Sequence, residues 1–273
     1  MLTHYICSTC GTQYPASDRP PDACAICRDE RQYVGLNGQQ WTTLDAIRLG
    51  HRNDFIALES NLTAILTQPE FAIHQRAILV ESPQGNVLWD CISLLDDATT
   101  EAIRNRGDLK AIAISHPHYY TTMVEWSRAF GNIPVYLHSA DRQHVVRPDP
   151  CLRFWDGHAM QLNSELTLIR CGGHFEGGTV LHCPAAAEGR GALLSGDIIQ
   201  VVPDRRWVSF MYSYPNLIPL NAAKVRAILA AVDPFEFDRV YGAFHPMQVM
   251  SDGKAAVRRS ADRYLIAIGA ETS

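Results

Sequence analysis

Short apolar runs alternate with polar, glycine-containing segments along most of the chain, and this pattern predicts strands and helices in turn. Continuous apolar runs of about five residues, bounded by turn residues, are typical of buried strands. Apolar residues at every third or fourth position, with a glycine at the end, are typical of helices. Strands are predicted at residues 76–82, 86–90, 109–114, 134–138, 166–169, 179–183, 191–195 and 239–241. Helices are predicted at residues 97–106, 121–130, 221–232 and 254–268.

The order of these elements gives the fold class. Strands followed by helices in two successive halves favour an α/β protein whose sheets are covered by helices. No tandem repeat with a period of about 20–50 residues is visible, so a repeat architecture is not expected. Residues 35–40, with the sequence Gly-Leu-Asn-Gly-Gln-Gln, predict a linker between a short N-terminal segment and the rest.

Length and charge exclude some classes of protein. The 273 residues, 47% of them hydrophobic, allow one large domain with a small attachment. A net charge of −5 and dispersed Arg and Lys residues predict no nucleic-acid partner. No apolar run approaches the ~20 residues of a membrane span, and no secretory leader is visible. We therefore expect a cytoplasmic protein that acts on a small molecule, with no membrane contact; oligomerisation is left open.

Four of the eight cysteines are closely spaced near the N-terminus. They form two C-x-x-C pairs, Cys7 with Cys10 and Cys24 with Cys27. Thiols stay reduced in the cytoplasm, so these pairs predict metal binding and not disulfides. Two such pairs facing each other supply four thiolates in a tetrahedron, which suits zinc or iron. About 35 residues cannot bury enough apolar surface alone, so the metal would stabilise the module.

The cysteine segment also resembles a known module. Residues 5–14, Tyr-Ile-Cys-Ser-Thr-Cys-Gly-Thr-Gln-Tyr, are similar to a rubredoxin knuckle, and residues 4–34 resemble the rubredoxin-like ribbon of rubrerythrins. We therefore predict a metal ribbon at residues 1–36 and a second domain at residues 37–273. Structural zinc is the more frequent content of such ribbons, whereas iron would make the ribbon an electron carrier. The sequence leaves both metals open.

A second set of ligand-type residues lies in the larger segment, each at the end of an apolar run. Imidazole nitrogens and carboxylate oxygens are ligands of zinc and related divalent metals. Loops at strand ends collect at one edge of a sheet, where rigid strands position their side chains. The residues are His116, His118, His174, Asp197 and His245.

The order of these residues resembles the metallo-β-lactamase superfamily over residues 50–250. Residues 115–121 are similar to its first motif, H-x-H-x-D-H, with Tyr120 and Thr121 in place of the Asp and the last His. Asp90, in Trp89-Asp90-Cys91, resembles the strand-end aspartate that orders the active-site loop. Gly172-Gly173-His174, Ser195-Gly196-Asp197 and Gly242-Ala243-Phe244-His245 match the later motifs. The resemblance implies a four-layer αββα sandwich behind the small ribbon.

The resemblance also implies a division of chemical roles. His116, His118 and His174 would hold one metal, zinc or iron, and leave a position for water that is activated to hydroxide. Asp197 would complete the coordination or orient the water. His245 would bind a weak second ion or stabilise the developing oxyanion, and Tyr120 would donate a hydrogen bond there.

The departure from the motif limits the number of metals. Dinuclear members hold their second ion with the Asp and His that are replaced here by Tyr120 and Thr121. Asp197 and His245 alone offer two ligands, too few for tight binding. We therefore predict one tightly held metal in the larger domain.

Three functions are compatible with these observations. The first is a hydrolase that uses metal-bound hydroxide on an ester, thioester or amide of a small molecule. The second is a mononuclear iron redox enzyme similar to persulfide dioxygenases, with His116, His174 and Asp197 as ligands and the ribbon as electron relay. The third is a non-catalytic, metal-stabilised binding module.

Overall fold

The computed structural model describes residues 2–270, and the chain forms two compact units. Unit 1 comprises Met1–Leu137 and Arg142–Phe154, and unit 2 comprises His138–Asp141 and Trp155–Ser273. Each unit contains one large β-sheet and its own buried apolar residues. Among residues 2–270, no helix combines the length and the apolar character needed to cross a membrane.

A three-stranded antiparallel sheet forms the N-terminal part of unit 1. Its strands are β1 (Thr3–Cys7), β2 (Gln13–Ser17) and β3 (Trp41–Thr42), in the order β2-β1-β3, and a short helix, α1 (Ala25–Arg28), follows β2 in the chain. The predicted ribbon ended at residue 36, yet the third strand comes from residues 41 and 42. The predicted linker therefore leads back into the sheet of the ribbon, while the domain boundary at residue 36 stays a prediction.

The large sheet of unit 1 has seven strands in the order β10-β9-β8-β7-β6-β5-β4. The strands from β4 to β7 pair antiparallel, and β7, β8 and β9 pair parallel. The strands are β4 (Arg52–Glu59), β5 (Leu62–Gln68), β6 (Ala77–Val80), β7 (Asn86–Trp89), β8 (Leu109–Ala113), β9 (Val135–His138) and β10 (Leu152–Trp155). The helices are α2 (Leu44–Gly50), α3 (Asp97–Arg104) and α4 (Met123–Ala129).

The predicted elements of unit 1 are present in the structure. The turn at residues 83–85 joins β6 to β7 as an antiparallel hairpin, because Gly85 adopts a φ of 112° there. Helix α3 begins at an aspartate cap, since the Asp96 carboxylate accepts from the Thr99 N–H at 2.7 Å. Parallel pairing needs crossover connections, and α3 and α4 supply them between β7, β8 and β9. The ends of these parallel strands therefore bring their following loops to one edge.

Unit 2 has a six-stranded sheet in the order β11-β12-β13-β14-β19-β20, in which only β14 and β19 pair parallel. Its strands are β11 (Ala159–Asn163), β12 (Leu166–Arg170), β13 (Thr179–Cys183), β14 (Ala192–Gly196), β19 (Arg239–Gly242) and β20 (Gln248–Val249). Two small sheets pair β15 (Gln200–Val201) with β16 (Val208–Ser209) and β17 (Met211–Ser213) with β18 (Ile218–Pro219). The helices are α5 (Ala186–Gly189), α6 (Ala222–Val232) and α7 (Gly253–Ala267).

Helices α6 and α7 cover this sheet with their apolar positions. Val225 and Ile228 of α6 share one buried cluster with Val257 and Leu265 of α7. Asn221 caps α6, because its side-chain oxygen accepts from the Lys224 N–H at 3.0 Å. The predicted helices at residues 221–232 and 254–268 are therefore confirmed to within a residue at each end. Together the two units confirm the α/β class.

Candidate metal centres

The loop after β8 positions the first two candidate ligands. Strand β8 is flanked by parallel neighbours on both sides, and a 3-10 turn at Pro117–Tyr119 follows it. Proline suits the start of this turn because its fixed φ matches and its missing N–H is not needed there. The rings of His116 and His118 are buried, with centroids 5.1 Å apart and planes inclined by 71°. The turn therefore holds two imidazoles side by side.

Asp90 fixes the start of the same loop. Its carboxylate Oδ1 accepts from the Ser115 N–H at 2.7 Å, and its own N–H donates to the Ala113 carbonyl at 2.8 Å. The Ser115 hydroxyl in turn hydrogen-bonds His116 Nδ1 at 2.8 Å, which orients that ring. An outer contact at Nδ1 directs Nε2 toward a metal. The Asp90–Ser115 hydrogen bond joins the expected strand-end aspartate to the loop, and its ordering role stays a prediction.

His174 follows β12 in unit 2, after two glycines in the left-handed region. Gly173 has a φ of 84°, which favours glycine, and a Cβ there would lie 2.8 Å from Ile228 Cδ1, so a larger residue would also have to displace that side chain. The buried His174 ring hydrogen-bonds the Tyr212 carbonyl through Nδ1 at 2.7 Å. A carbonyl accepts only, so Nδ1 carries the proton and Nε2 presents its lone pair.

Asp197 directly follows β14 and is also buried. Its main-chain carbonyl accepts from the Tyr214 hydroxyl at 2.9 Å. Burial, together with the charge of the Asp197 carboxylate, raises the pKa of Tyr214 well above its usual value, so the phenol remains a donor. Sequence reasoning missed this role of Tyr214, since an aromatic residue 17 positions away gives no sign of which carbonyl it contacts.

Four of the five candidate ligands form one group. One ligand atom from each of His116, His118, His174 and Asp197 lies within 4.8 Å of the others, and all four residues are buried. Three imidazoles and one carboxylate are a donor set for zinc or ferrous iron. Burying such groups together without an ion is costly for the carboxylate. The donor set therefore fits a divalent transition metal.

Two further predicted site residues, His245 and Tyr120, are not members of this four-residue group. Within residues 2–270, the group that fits a single ion does not include His245, which lies three residues after β19 and is half-buried. Tyr120 is buried, and its main-chain N–H donates to the Pro117 carbonyl at 3.2 Å. The catalytic roles of Asp197, His245 and Tyr120 stay predictions.

The four N-terminal cysteines form a second group, within 4.8 Å of one another and buried. Cys7 Sγ lies 3.5 Å from Cys27 Sγ, and Cys10 Sγ lies 3.6 Å from Cys24 Sγ. All four are free thiols. Sulfur atoms around a tetrahedral zinc with bonds of about 2.3 Å are about 3.8 Å apart. The spacing of the thiols therefore fits a four-thiolate metal site.

The backbone and electrostatics of this group agree with metal binding. The Gly11 N–H donates to the Cys7 carbonyl at 2.8 Å, and Gly11 has a φ of 79°, as a tight knuckle requires. Hydrogen bonding from the Cys10 thiol lowers the pKa of Cys7 and lowers that of Cys24 to about 7, whereas the hydrogen bond with Cys24 raises the pKa of Cys10. Thiolates are the metal-binding form of cysteine, so Cys7 and Cys24 are the thiols closest to that form.

Comparisons with known proteins agree with this fold. No protein-family model matches the chain. It is 48% identical over 272 residues to Uncharacterized protein YmaE of Bacillus subtilis (strain 168), covering 99% of this chain and 98% of that protein. The DIM-1 metallo-β-lactamase superposes with a TM-score of 0.58 and 13% identity, over 79% of this chain and 98% of that one. FIM-1 from Pseudomonas aeruginosa, in a mono-zinc form, gives 0.57 and 17%, over 79% and 96%.

At these identities the structural likeness establishes a shared fold. The predicted metallo-β-lactamase fold is confirmed, and so is the presence of a four-cysteine group at its N-terminus.

Proposed function

Since the chain belongs to the family of Bacillus subtilis YmaE and has the metallo-β-lactamase fold, we propose that it is a metal-dependent hydrolase of small molecules. The bond to be cleaved is the single bond from the carbonyl carbon to the oxygen, sulfur or nitrogen of an ester, thioester or amide. The observation that carries the proposal is the buried group of three imidazoles and one carboxylate at His116, His118, His174 and Asp197. A zinc ion is the cofactor proposed for this group, as in the mono-zinc form of FIM-1.

The bound metal would act as a Lewis acid and lower the pKa of a bound water toward neutrality. The protein's own residues would arrange that chemistry. The Ser115 hydroxyl and the Tyr212 carbonyl hold the Nδ1 atoms of His116 and His174, so both rings keep their orientation. Asp197 would accept a hydrogen bond from the attacking water or complete the ligand set. His245, with Tyr120 as the alternative donor, would hydrogen-bond the developing oxyanion.

A second candidate is supported by the connection between the ribbon and the histidine pair. Gln13 is the last residue of the cysteine knuckle, residues 7–13. Its N–H donates to the carbonyl of Thr121, three residues after His118, at 3.0 Å. With iron in both groups, a four-thiolate ribbon at this position would serve as an electron relay to a mononuclear iron. Ferric iron in the ribbon would make the purified protein red, whereas zinc would leave it colourless.

The test compares hydrolysis with metal content in full-length protein. A panel of esters, thioesters and amides is assayed with the wild type, the chelator-treated protein and the His116→Ala variant. We expect turnover that disappears with chelator, returns with zinc and falls about a thousandfold in His116→Ala, because Lewis-acid catalysis supplies several kcal/mol of transition-state stabilisation.

The matched control is His158→Ala, since His158 is exposed and its ring lies outside both metal groups. His158→Ala should retain wild-type activity. Full activity of His116→Ala, or hydrolysis that survives complete removal of metal, would contradict the proposal.

A further inference from the structure

The cysteine knuckle of the ribbon, residues 7–13, contacts two loops of unit 1 directly. One is the aspartate loop, residues 90–96 after β7, where the Ser93 hydroxyl donates to the Gly11 carbonyl at 3.1 Å. The other is the histidine loop, residues 115–122 after β8, where the Thr121 carbonyl accepts from the Gln13 N–H at 3.0 Å. The two contacting residues of the knuckle, Gly11 and Gln13, lie one and three positions after Cys10.

The two loops are also bonded to each other. The Thr122 hydroxyl donates to the Ser93 carbonyl at 2.9 Å, and Trp126 Nε1 donates to the Ile92 carbonyl at 2.9 Å. At the far end, the Asp90 carboxylate holds the Ser115 N–H. Ser93 therefore stands between the knuckle and the loop that carries His116 and His118.

A buried arginine adds a third connection. Arg147 Nη1 donates to the side-chain Gln13 Oε1 and to Glu125 Oε1, the latter at 2.7 Å. Glu125 lies in the first turn of α4, which directly follows the histidine loop. The side chains of Arg147 and Glu125 are 7% and 24% exposed, so the pair is only partly accessible to water and is screened less by salt than a surface pair. The side chain of Gln13 and helix α4, through Glu125, therefore both bind the Arg147 guanidinium.

The fit between knuckle and loop is close. A Cβ added at Gly11 would clash with Ser93 Oγ, so a side chain at this position would displace the Ser93 hydroxyl from the Gly11 carbonyl. A cavity of about 20 Å³ beside this contact is lined by residues of the segment 67–75 together with Cys10, Cys91, Ser93 and Thr121. Such a cavity holds about one water molecule. Displacing the knuckle would therefore move the aspartate loop or the histidine loop with it.

We propose that the cysteine knuckle clamps the histidine loop in its metal-binding conformation, with Ser93, Gln13 and Arg147 as positioning residues. A loop that is ordered before binding loses less conformational entropy when it takes up a metal. Metal at the cysteines orders the knuckle, and the knuckle orders the loop. The two metal groups are then energetically coupled, and binding at one strengthens binding at the other by the same factor.

The inference rests on the proposed function only in requiring a metal at the histidine group. The test loads full-length protein with cobalt(II), whose thiolate charge-transfer bands and imidazole-site visible bands report the two groups separately. The variants are Ser93→Ala, which removes the hydroxyl, and Ser93→Thr, which keeps it. Ser127→Ala is the control, because Ser127 is a buried serine of α4 whose hydroxyl donates to the Ile133 carbonyl.

We expect Ser93→Ala to keep the thiolate bands while cobalt affinity at the histidine group falls roughly tenfold, as for other residues that orient ligands. Ser93→Thr should restore most of the affinity, and Ser127→Ala should leave it unchanged even if its melting temperature falls equally. Gly11→Ala, which wedges the same contact apart, should act like Ser93→Ala.

Wild-type affinity and visible spectrum at the histidine group in both Ser93→Ala and Gly11→Ala would overturn the inference alone. Cobalt bound only at the cysteines of the wild type would overturn the proposed function and this inference with it.

Discussion

The two metal groups are built in opposite ways. The cysteine group is local, since its four ligands lie between residues 7 and 27 and its sulfur atoms contact one another at 3.5 and 3.6 Å. The histidine group draws on loops after β8, β12 and β14, from His116 to Asp197. We therefore expect the local group to depend on a bound metal for its order, whereas the dispersed group takes its ligands from loops far apart in the chain.

Because of this difference, we expect the two groups to be sensitive to different kinds of mutation. In the cysteine group, we expect the loss of one ligand to destabilise the small sheet, because the metal would be its main support. In the histidine group, outer contacts such as those of Asp90 and Gly173 decide whether the ligands are presented at all. Mutations away from the ligands should therefore matter more in the second group.

The largest effect is expected from breaking the local group. Cys10→Ser should remove one metal per chain and unfold the ribbon, because metal binding contributes about 10–16 kcal/mol to the folding of comparable peptides. Hydrogen exchange should show loss of protection in β1, β2 and β3 while the seven-stranded sheet remains protected. Cys151→Ser, a buried thiol of unit 1 outside both metal groups, is the control. A ribbon that stays protected in Cys10→Ser would contradict its dependence on metal.

The second prediction tests the ordering of the histidine loop by Asp90. Asp90 and Asp108 both have a φ of 63°, but only Asp90 is buried and bonded to the loop, whereas the Asp108 carboxylate accepts from the adjacent Leu109 N–H. Asp90→Ala should lower the free energy of unfolding by about 1–3 kcal/mol more than Asp108→Ala, because it leaves the Ser115 N–H buried without an acceptor. Urea titration of both variants measures the difference. Equal losses of unfolding free energy would mean that the hydrogen bond to Ser115 adds nothing and that the positive φ shared by both positions accounts for the effect.

The third prediction compares alanine substitutions at two glycines, one of them directly before His174. Gly173 and Gly189 both have a φ of 84°, but a Cβ at Gly189 would meet no atom within 4 Å. Gly173→Ala should therefore cost about 1–3 kcal/mol more than Gly189→Ala, through overlap with Ile228 in addition to the shared strain. It should also weaken metal binding, since His174 is the next residue. Thermal unfolding measures the stability of the two variants, and a chelator titration measures their metal affinity. Indistinguishable results for the two variants would contradict the role given to Gly173.

The smallest expected effect is the loss of stability at acid pH. Burial lowers the pKa of the His182 imidazole, whose Nε2 donates to the Glu236 carbonyl at 2.8 Å. The unfolded chain then binds more protons, so stability is fully present above the usual value near 6.5 and falls as the pH drops through the lowered value. Between pH 7.5 and 5.5 the wild type should lose more stability than His182→Gln. Equal losses would assign the acid sensitivity to other groups, the metal ligands first among them.

The sequence allowed the cysteine group to be predicted almost completely. Paired C-x-x-C spacing is a local pattern, and a tight knuckle needs glycine at Gly11 whatever the rest of the chain does. The third strand of the ribbon, Trp41–Thr42, was missed because two residues carry no periodicity and pair only through a returning chain.

For the histidine group, sequence predicted the ligands but not their support. His116, His118, His174 and Asp197 were expected from their positions at strand ends, and the structure places them in one group. The contacts of Tyr214 with the Asp197 carbonyl and of Ser93 with Gly11 join residues far apart in the chain. No local spacing encodes such pairs, so only the folded structure reveals them.

The most direct test of the account is the metal content of the full-length protein and of two variants, Cys10→Ser and His116→Ala. We expect two metal ions per chain in the wild type and one in each variant, with sulfur ligands lost in the first and nitrogen ligands lost in the second by X-ray absorption. Three ions in the wild type would contradict the prediction of a single ion in the histidine group. Two ions retained in His116→Ala would contradict the histidine group itself.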